Sequence, residues 1–102
     1  MYKLEYLPSA ETDILEIDVY LYEYSPSAAD KFADSIEKLT EMLLRYPSMF
    51  PVYGDYPYFR HMTLPYKHRL FYHVDDETAV IKIYHVIMQQ YAWYAEKKQK
   101  GC

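Results

Sequence analysis

The start of the chain alternates between apolar and polar positions. In residues 2–7, Tyr2, Leu4 and Tyr6 share one side and polar residues lie between them. This spacing predicts a short β-strand. Pro8 is expected to end the strand, and Ser9 is expected to cap a helix that begins at residue 10, with acids favoured in its first turn.

Apolar residues at spacings of three and four then predict two helices, over residues 10–23 and about 26–45. Ser25 suits the N-cap of the second helix, Pro26 suits its first position, and Pro47 is expected to end it. Because the connection is very short, we expect an antiparallel helix hairpin. The two apolar stripes are Ala10, Ile14, Ile17, Leu21 and Tyr24, and Ala29, Phe32, Ile36, Leu39 and Leu43.

The second half of the chain has the two-residue period of strands. Residues 47–57 contain three prolines and a glycine and are expected to form a loop. A short strand is predicted over 58–63, and clearer alternation predicts strands over 66–74 and 79–87, joined by an acidic turn at 75–77.

Alternation also assigns the side chains of the last two strands to faces. Lys67 and Arg69 are expected on one face together, and Lys82 and His85 on opposite faces unless a bulge intervenes. In the strand over 66–74, one face is expected to hold Tyr66, His68, Leu70, Tyr72 and Val74, and the other Lys67, Arg69, Phe71 and His73. In the strand over 79–87, one face is expected to hold Ala79, Ile81, Ile83, His85 and Ile87, and the other Val80, Lys82, Tyr84 and Val86.

Together these elements predict an α+β fold of order β-α-α-β-β-β. The apolar stripes of both helices need a common partner, so the hairpin should pack on one face of a mainly antiparallel four-stranded sheet. The sheet residues expected to meet the helices are Leu4, Leu70, Tyr72, Ile81 and Ile83. Residues 1–88 are predicted to form the domain, and residues 89–102 a C-terminal tail or short extra element.

Composition limits the class of protein. A chain of 102 residues, 51% of them apolar, fits one domain with one core. The single cysteine, Cys102, excludes an intramolecular disulfide and fits a reducing compartment. We see no signal peptide and no membrane-spanning run, so we expect a cytoplasmic protein without a membrane partner.

Charge is distributed unevenly along the chain. The formal net charge is −4, which argues against a general nucleic-acid coat protein. Residues 57–74 nevertheless contain Arg60, Lys67, Arg69 and three histidines and no acid. We therefore expect the functional surface around Arg60, Lys67, Arg69 and His85 rather than on the acidic helices. The fourteen tyrosines suit a core edge and a partner surface.

Several local patterns follow one another in a characteristic order. Ser25 to Phe32 begins a helix with an alanine pair and a phenylalanine, and Leu43 to Pro47 ends it. An arginine after a loop (Arg60), the strand Arg69 to Val74, an acidic turn and the strand Val80 to Val86 follow. Over residues 2–88 this order resembles the RelE/ParE toxin superfamily of bacterial type II toxin–antitoxin systems. In this respect the chain is similar to plasmid stabilisation proteins.

The resemblance implies a toxin held silent by a cognate antitoxin, as a hetero-oligomer, with a homodimer as a further assembly. RelE-like members cut messenger RNA, usually on the ribosome, and ParE-like members poison DNA gyrase. A degenerate member kept only as an antitoxin-binding module is a third alternative. The metal-independent endoribonuclease is our first hypothesis, because the strand arginine and the late His and Tyr are of suitable types.

RNA cleavage without a metal or other cofactor needs a base, an acid and cations for the phosphate. The candidate catalytic residues are Arg60, Arg69, His85 and Tyr84, and Lys67, Lys82 and Tyr91 are candidates for substrate binding. Where RelE-like members often end the fourth strand with an aliphatic-His step, this chain has Ile87-Met88. Because so few groups are available, we expect modest or absent nuclease activity.

Each candidate also has a structural alternative. Arg60 and Arg69 could pair with acids such as Asp55 or Asp75. By alternation, His85 shares a face with isoleucines and could be a packed, hydrogen-bonded histidine. His68 and His73 are expected on opposite strand faces, so they cannot easily bind one metal ion.

Overall fold

A computed structural model describes residues 1–88. Two helices and five strands follow in the order expected from the sequence, with one strand added. The elements are β1 Lys3–Tyr6, α1 Pro8–Tyr24, α2 Pro26–Arg45, β2 Val52–Tyr53, β3 Tyr56–Leu64, β4 His68–Asp75 and β5 Val80–Met88. The prediction for residues 89–102 lies outside the described residues.

The strands form one mixed sheet in the order β1-β5-β4-β3-β2. β1 pairs with β5 in parallel and the other pairs are antiparallel. The α+β class and the element order are therefore confirmed, but the sheet has five strands instead of four. The added strand is the two-residue β2, inside the segment expected to be a loop, where Val52 pairs with Arg60 and Tyr53 with Tyr56.

The two helices begin without the serine capping bonds that the sequence predicts. Pro8 does not precede a capped helix but occupies the first turn of α1, with Leu7 at the N-cap, where a missing N–H is harmless. The Ser9 hydroxyl instead donates to the Tyr84 carbonyl of β5 at 2.6 Å. Ser25 is the N-cap of α2, but its side chain makes no capping bond and pairs with the Ser27 hydroxyl at 2.9 Å.

The core lies between the helix hairpin and one face of the sheet. Phe32 and Leu43 from α2 meet Leu70, Tyr72 and other fully buried sheet residues in one cluster. Both predicted stripes are confirmed except at Tyr24, which is 76% exposed at the end of α1. The sheet residues predicted to face the helices also belong to the core, with Leu4 partly buried: Leu4, Leu70, Tyr72, Ile81 and Ile83.

The hairpin between β3 and β4 corrects the predicted start of β4. Tyr66 and Lys67 lie in a turn rather than in the strand, with φ of 61° and 62°. Left-handed backbone at two side-chain-bearing residues is uncommon, and no Gly or Asn marks this turn. Lys67 therefore does not share a strand face with Arg69 as predicted.

A bulge corrects the predicted faces of β5. His85 pairs with Phe71 while Ile83 pairs with the next residue of β4, Tyr72, so Tyr84 is the extra residue. The buried positions consequently run Ile81, Ile83 and then Val86 instead of a strict alternation. His85 does not lie among the isoleucines, and the separation of Lys82 from His85 by alternation no longer holds.

No helix among residues 1–88 is long and apolar enough to cross a membrane.

Candidate functional site

The two strand arginines lie on opposite faces of the sheet. Arg60 pairs across β3 and β4 with Tyr72, which is fully buried under the helices. Arg69 pairs with Thr63 and Ile87, three positions away from Tyr72. Because directly paired residues share a face and strands alternate, Arg60 is on the helix side and Arg69 on the helix-free face.

The Arg60 guanidinium is engaged by the backbone. Its Nη1 donates to the carbonyls of Phe50 at 2.6 Å and Ser48 at 3.3 Å. These bonds tie the segment after α2 to β3. The alternative expected from sequence, an ion pair with Asp55 or Asp75, is not formed by either strand arginine within residues 1–88. Arg60 therefore has a structural role at this position.

Arg69 has a different environment. Among residues 1–88 its Nε is buried without a hydrogen-bond partner, and so is Nδ1 of His61. Burial, together with the nearby positive charge of Arg69, lowers the pKa of His61. His61 is therefore held towards its neutral form beside a permanently charged guanidinium, which can bind an anion from a ligand.

An aromatic cluster includes His61 on the helix-free face. The ring centroid of Phe71 lies 4.8 Å from that of Tyr53, in an edge-to-face arrangement, and 6.2 Å from that of His61. Tyr53 also contacts His61 at 5.2 Å and stacks on Tyr56 at 6.1 Å. Phe71 is only 9% exposed although it does not belong to the core cluster under the helices. We name Tyr53, Tyr56, His61 and Phe71 the first aromatic cluster.

A second aromatic cluster joins β3, β4 and the bulge of β5. The rings of Tyr58 and His73 are stacked in parallel, 3.6 Å apart, and His73 Nδ1 donates to the Tyr58 carbonyl at 2.7 Å. The hydroxyls of Tyr58 and Tyr84 share a hydrogen bond of 2.6 Å. Phe59 contacts both tyrosine rings. This cluster consists of Tyr58, Phe59, His73 and Tyr84.

The hydrogen bond between Tyr58 and Tyr84 makes the Tyr84 hydroxyl harder to ionise. The bond to Tyr58, aided by burial and nearby negative charge, raises the pKa of Tyr84 to about 12. A group this reluctant to ionise is not matched to acid–base work near neutral pH. Tyr84 is better suited to contacting a partner through its ring and hydroxyl.

The raised pKa of Tyr84 predicts an alkaline loss of stability. Above pH 10 the unfolded chain releases the phenol proton, but the folded chain keeps it until about pH 12. This contribution to stability is therefore complete below pH 10 and decreases as pH rises towards 12. Urea unfolding across this range should show the decrease, and Tyr84→Phe should reduce it. An unchanged pH dependence in Tyr84→Phe would contradict the assignment.

His85 is held at the edge of the sheet by the first helix. Its Nδ1 lies 3.1 Å from Oδ2 of Asp13, and the Val86 backbone N–H donates to the same oxygen at 3.1 Å. The His85 side chain remains 52% exposed. Asp13 thus satisfies a backbone donor of β5 beyond the end of the short β1, and it orients an accessible imidazole.

The double role of Asp13 predicts a marked effect of its removal. Asp13→Ala leaves the Val86 N–H without its acceptor, and we expect a loss of about 1–3 kcal/mol in the free energy of unfolding. Glu16→Ala, an exposed acid on the same helix, is the control and should change stability by less than about 0.5 kcal/mol. Equal effects in urea unfolding would contradict the role of Asp13.

The remaining predicted residues are more dispersed. Lys67 lies in the β3–β4 turn, and Lys82 pairs with His73 beside the second aromatic cluster. Tyr91 lies outside the described residues. Within residues 1–88 no group of three or more His, Cys, Asp or Glu side chains could hold a metal ion. The buried His68 and the more accessible His73 do lie on opposite faces of β4.

Four residues of this region were missed by reasoning from sequence: Asp13, Tyr53, Tyr58 and His61. Asp13 was expected only as a solvated acid of the first helical turn, and Tyr53 as part of a loop. The signal that would have helped is the density of aromatic residues in 53–61, where Tyr53, Tyr56, Tyr58 and Phe59 occur within seven positions.

Comparison with known families identifies one match over most of the chain. The family model described as ParE toxin of type II toxin-antitoxin system, parDE, matches residues 4–93. No curated protein sequence matches the chain significantly.

Solved structures share the fold at low sequence identity. A chain of the chromosomal ParDE toxin–antitoxin system from P. aeruginosa is 21% identical, with a TM-score of 0.69 over 86% of this chain and 96% of that chain. A chain of the intact E. coli RelBE complex is 20% identical, with a TM-score of 0.60 over 85% and 95%. The isolated E. coli RelE toxin is 17% identical, with a TM-score of 0.62 over 95% and 98%.

Proposed function

Because this chain belongs to the ParE toxin family of type II toxin–antitoxin systems, we propose that it arrests growth by binding a target, not by cutting RNA. The target surface is the helix-free face of the sheet, around Arg69 and the two aromatic clusters. DNA gyrase is the target that the ParE-like resemblance implies. The protein acts in the cytoplasm and is silenced by a cognate antitoxin.

The observation that carries this proposal is the separation of the two strand arginines. Cleavage of RNA needs several cations around one phosphate, but Arg60 is bound to backbone carbonyls on the helix side. The helix-free face keeps Arg69 and, opposite His73 four positions along β4, Lys82. At about 3.3 Å per residue these two cations are too far apart along the strand to surround one phosphate. The raised pKa of Tyr84 also makes that residue a weak proton donor. A face with one arginine and many aromatic rings is well equipped for binding, since Arg and Tyr are enriched in energetically important contacts.

The proposal is tested by inducing the protein in a bacterial host and assaying purified protein on DNA gyrase. We expect growth arrest that co-expression of the small reading frame beside the gene relieves. We also expect inhibited supercoiling by gyrase in the purified assay. Growth arrest with fully active gyrase would reject gyrase as the target, and absence of arrest would reject the toxin proposal.

An RNA-cleaving site is a second candidate function, and the β5 bulge supports it. The bulge places His85 opposite Phe71, two residues along β4 from Arg69. Asp13 holds the His85 ring through Nδ1, which leaves the other ring nitrogen for proton transfer. This arrangement has a general base and one cation, so it predicts slow cleavage that His85→Gln abolishes.

A further inference from the structure

A pocket at the end of the helix hairpin is lined mainly by aromatic and apolar side chains. It encloses about 300 Å³ and lies between the connection of the two helices and the turn that joins β3 to β4. Its lining includes Tyr20, Tyr24, Tyr66, Met88 and the buried His68. The three tyrosines are 43%, 76% and 43% exposed, so three large rings face solvent around one pocket. Exposed apolar surface gathered in this way indicates a binding surface.

The buried His68 gives this pocket a hydrogen-bond acceptor. Its Nδ1 lies 3.1 Å from the Pro65 carbonyl, and since a carbonyl only accepts, Nδ1 carries the proton in this bond. In the neutral ring Nε2 is then an acceptor, and no hydrogen bond to it forms within residues 1–88. An occupant of the pocket that carries a donor would therefore satisfy a nitrogen of a side chain that is otherwise buried.

The chain itself continues from the rim of this pocket. Met88 ends β5, lines the pocket and is paired with His68 across the two strands. An aromatic run, Tyr91-Ala92-Trp93-Tyr94, follows a few residues later, and Trp93 is the one tryptophan of the chain. Trp93 is five residues beyond Met88, so its Cα lies at most about 18 Å from that of Met88. The run is therefore within reach of the pocket.

Trp93 matches the pocket in size and in chemistry. Its indole has a large apolar surface, and its single polar atom, Nε1, only donates. A buried indole N–H usually has a hydrogen-bond partner. The donor of Trp93 and the free acceptor of His68 are therefore complementary.

Charge favours the residues that follow Trp93 as well. The helix dipole is negative at the end of α1, and the last turn there contains no lysine or arginine. Glu23 adds a negative charge in the same turn and forms no ion pair within residues 1–88. Residues 95–100 contain one acid and three lysines, Lys97, Lys98 and Lys100. This basic stretch can complement the end of α1.

We propose that residues 89–102 fold back over this pocket and that Trp93 inserts between Tyr24 and Tyr66. The indole N–H then donates to Nε2 of His68, and the lysines that follow lie near the C-terminal carbonyls of α1. The segment ties the end of β5 to the helix hairpin and covers the exposed rings. This inference is independent of the proposed function, because it concerns contacts within one chain.

The same segment of a second copy is a poorer occupant. A segment joined to its site by a short flexible connection has an effective concentration of about millimolar. Only four residues separate Met88 from Trp93. A second copy would have to reach a comparable concentration to compete for the pocket.

The direct test uses the full chain, in which Trp93 is the single indole fluorophore. We expect the native protein to show blue-shifted indole emission that acrylamide quenches weakly, and we expect unfolding in urea to abolish both properties. The indole N–H should also exchange slowly with solvent in NMR spectra, because it is hydrogen-bonded. Emission and quenching that are the same before and after unfolding would overturn the proposal, and so would a rapidly exchanging N–H.

Two pocket variants and a matched control locate the indole. Tyr24→Ala and Tyr66→Asn each remove a ring from the pocket, and asparagine suits the left-handed backbone at position 66. Each should lower the ratio of docked to free Trp93 about tenfold and so increase quenching by acrylamide. Tyr22→Ala removes an exposed ring of α1 that does not line the pocket, and should leave quenching unchanged. Equal quenching in all three variants, with the fold intact by circular dichroism, would reject this pocket.

A nitroxide label on Cys102, the one cysteine, separates docking within a chain from docking between chains. In an isotope-enriched, labelled protein, we expect broadened amide signals of Tyr24 and Ala28 at every protein concentration. In a mixture of labelled chains and unlabelled, isotope-enriched chains, we expect no broadening. Broadening in the mixture would assign the pocket to a second copy, and sharp signals in both samples would reject the path of the segment past α1.

Discussion

Arg69→Ala is expected to relieve the growth inhibition caused by the induced protein while the fold persists. Arg69 lies on the helix-free face, and among residues 1–88 its Nε has no hydrogen-bond acceptor. No carboxylate of residues 1–88 forms an ion pair with Arg69, so its charge can pair with an anionic group of a target. Loss of a hydrogen bond between a charged group and its partner is worth about 1.5–3 kcal/mol, or about 10- to 150-fold in target affinity. Growth curves after induction at matched protein levels measure the effect.

Two other arginine substitutions serve as controls for this prediction. Arg45→Ala removes an arginine from the end of α2 and should leave growth inhibition unchanged. Arg60→Ala should act through stability, because it removes bonds to the Phe50 and Ser48 carbonyls worth about 1.5–3 kcal/mol. Undiminished toxicity of a folded Arg69→Ala protein would contradict the placement of the target surface.

Tyr72→Ala is expected to cost about 3–5 kcal/mol in the free energy of unfolding. Tyr72 is fully buried between the helix hairpin and the sheet, and its hydroxyl donates to the Pro47 carbonyl at 3.1 Å. The substitution removes both the ring and the hydrogen bond to the segment that follows α2. A small domain has only about 5–15 kcal/mol of total stability, so we expect partial unfolding at growth temperature.

Tyr22→Ala is the matched control for that prediction. Tyr22 is 62% exposed on α1, and its removal should change stability by less than about 0.5 kcal/mol. Urea unfolding followed by circular dichroism measures both variants. A Tyr72→Ala protein as stable as Tyr22→Ala would show that the core is not where the structure places it.

The fold could be predicted from sequence because its helices and long strands have clear apolar periods. The stripe from Ala29 to Leu43 predicted α2 over 26–45, and α2 is Pro26–Arg45. The errors arise where local chemistry is ambiguous. β2 has two residues, too few for any period to show, and its pairing with β3 depends on contacts distant in sequence. The left-handed turn at Tyr66 and Lys67 contains none of the residues that normally mark one.

The arrangement of the site was less predictable than the fold. A period-two pattern cannot reveal a bulge, and the bulge at Tyr84 changes the face of every later residue in β5. The partner of His85 is Asp13, 72 residues earlier in the chain, and no local pattern reports such a contact. The acid-free window did identify Arg69, but it could not show that Arg60 faces the helices.

A toxin that stops growth by binding leaves cellular transcripts intact, whereas one that cuts RNA creates new transcript ends. The most direct measurement maps the ends of cellular transcripts shortly after induction of the native protein, with His85→Gln and Arg69→Ala induced in parallel. We expect growth arrest by the native protein without new transcript ends, and arrest retained by His85→Gln. New ends that appear with the native protein and disappear with His85→Gln would contradict it.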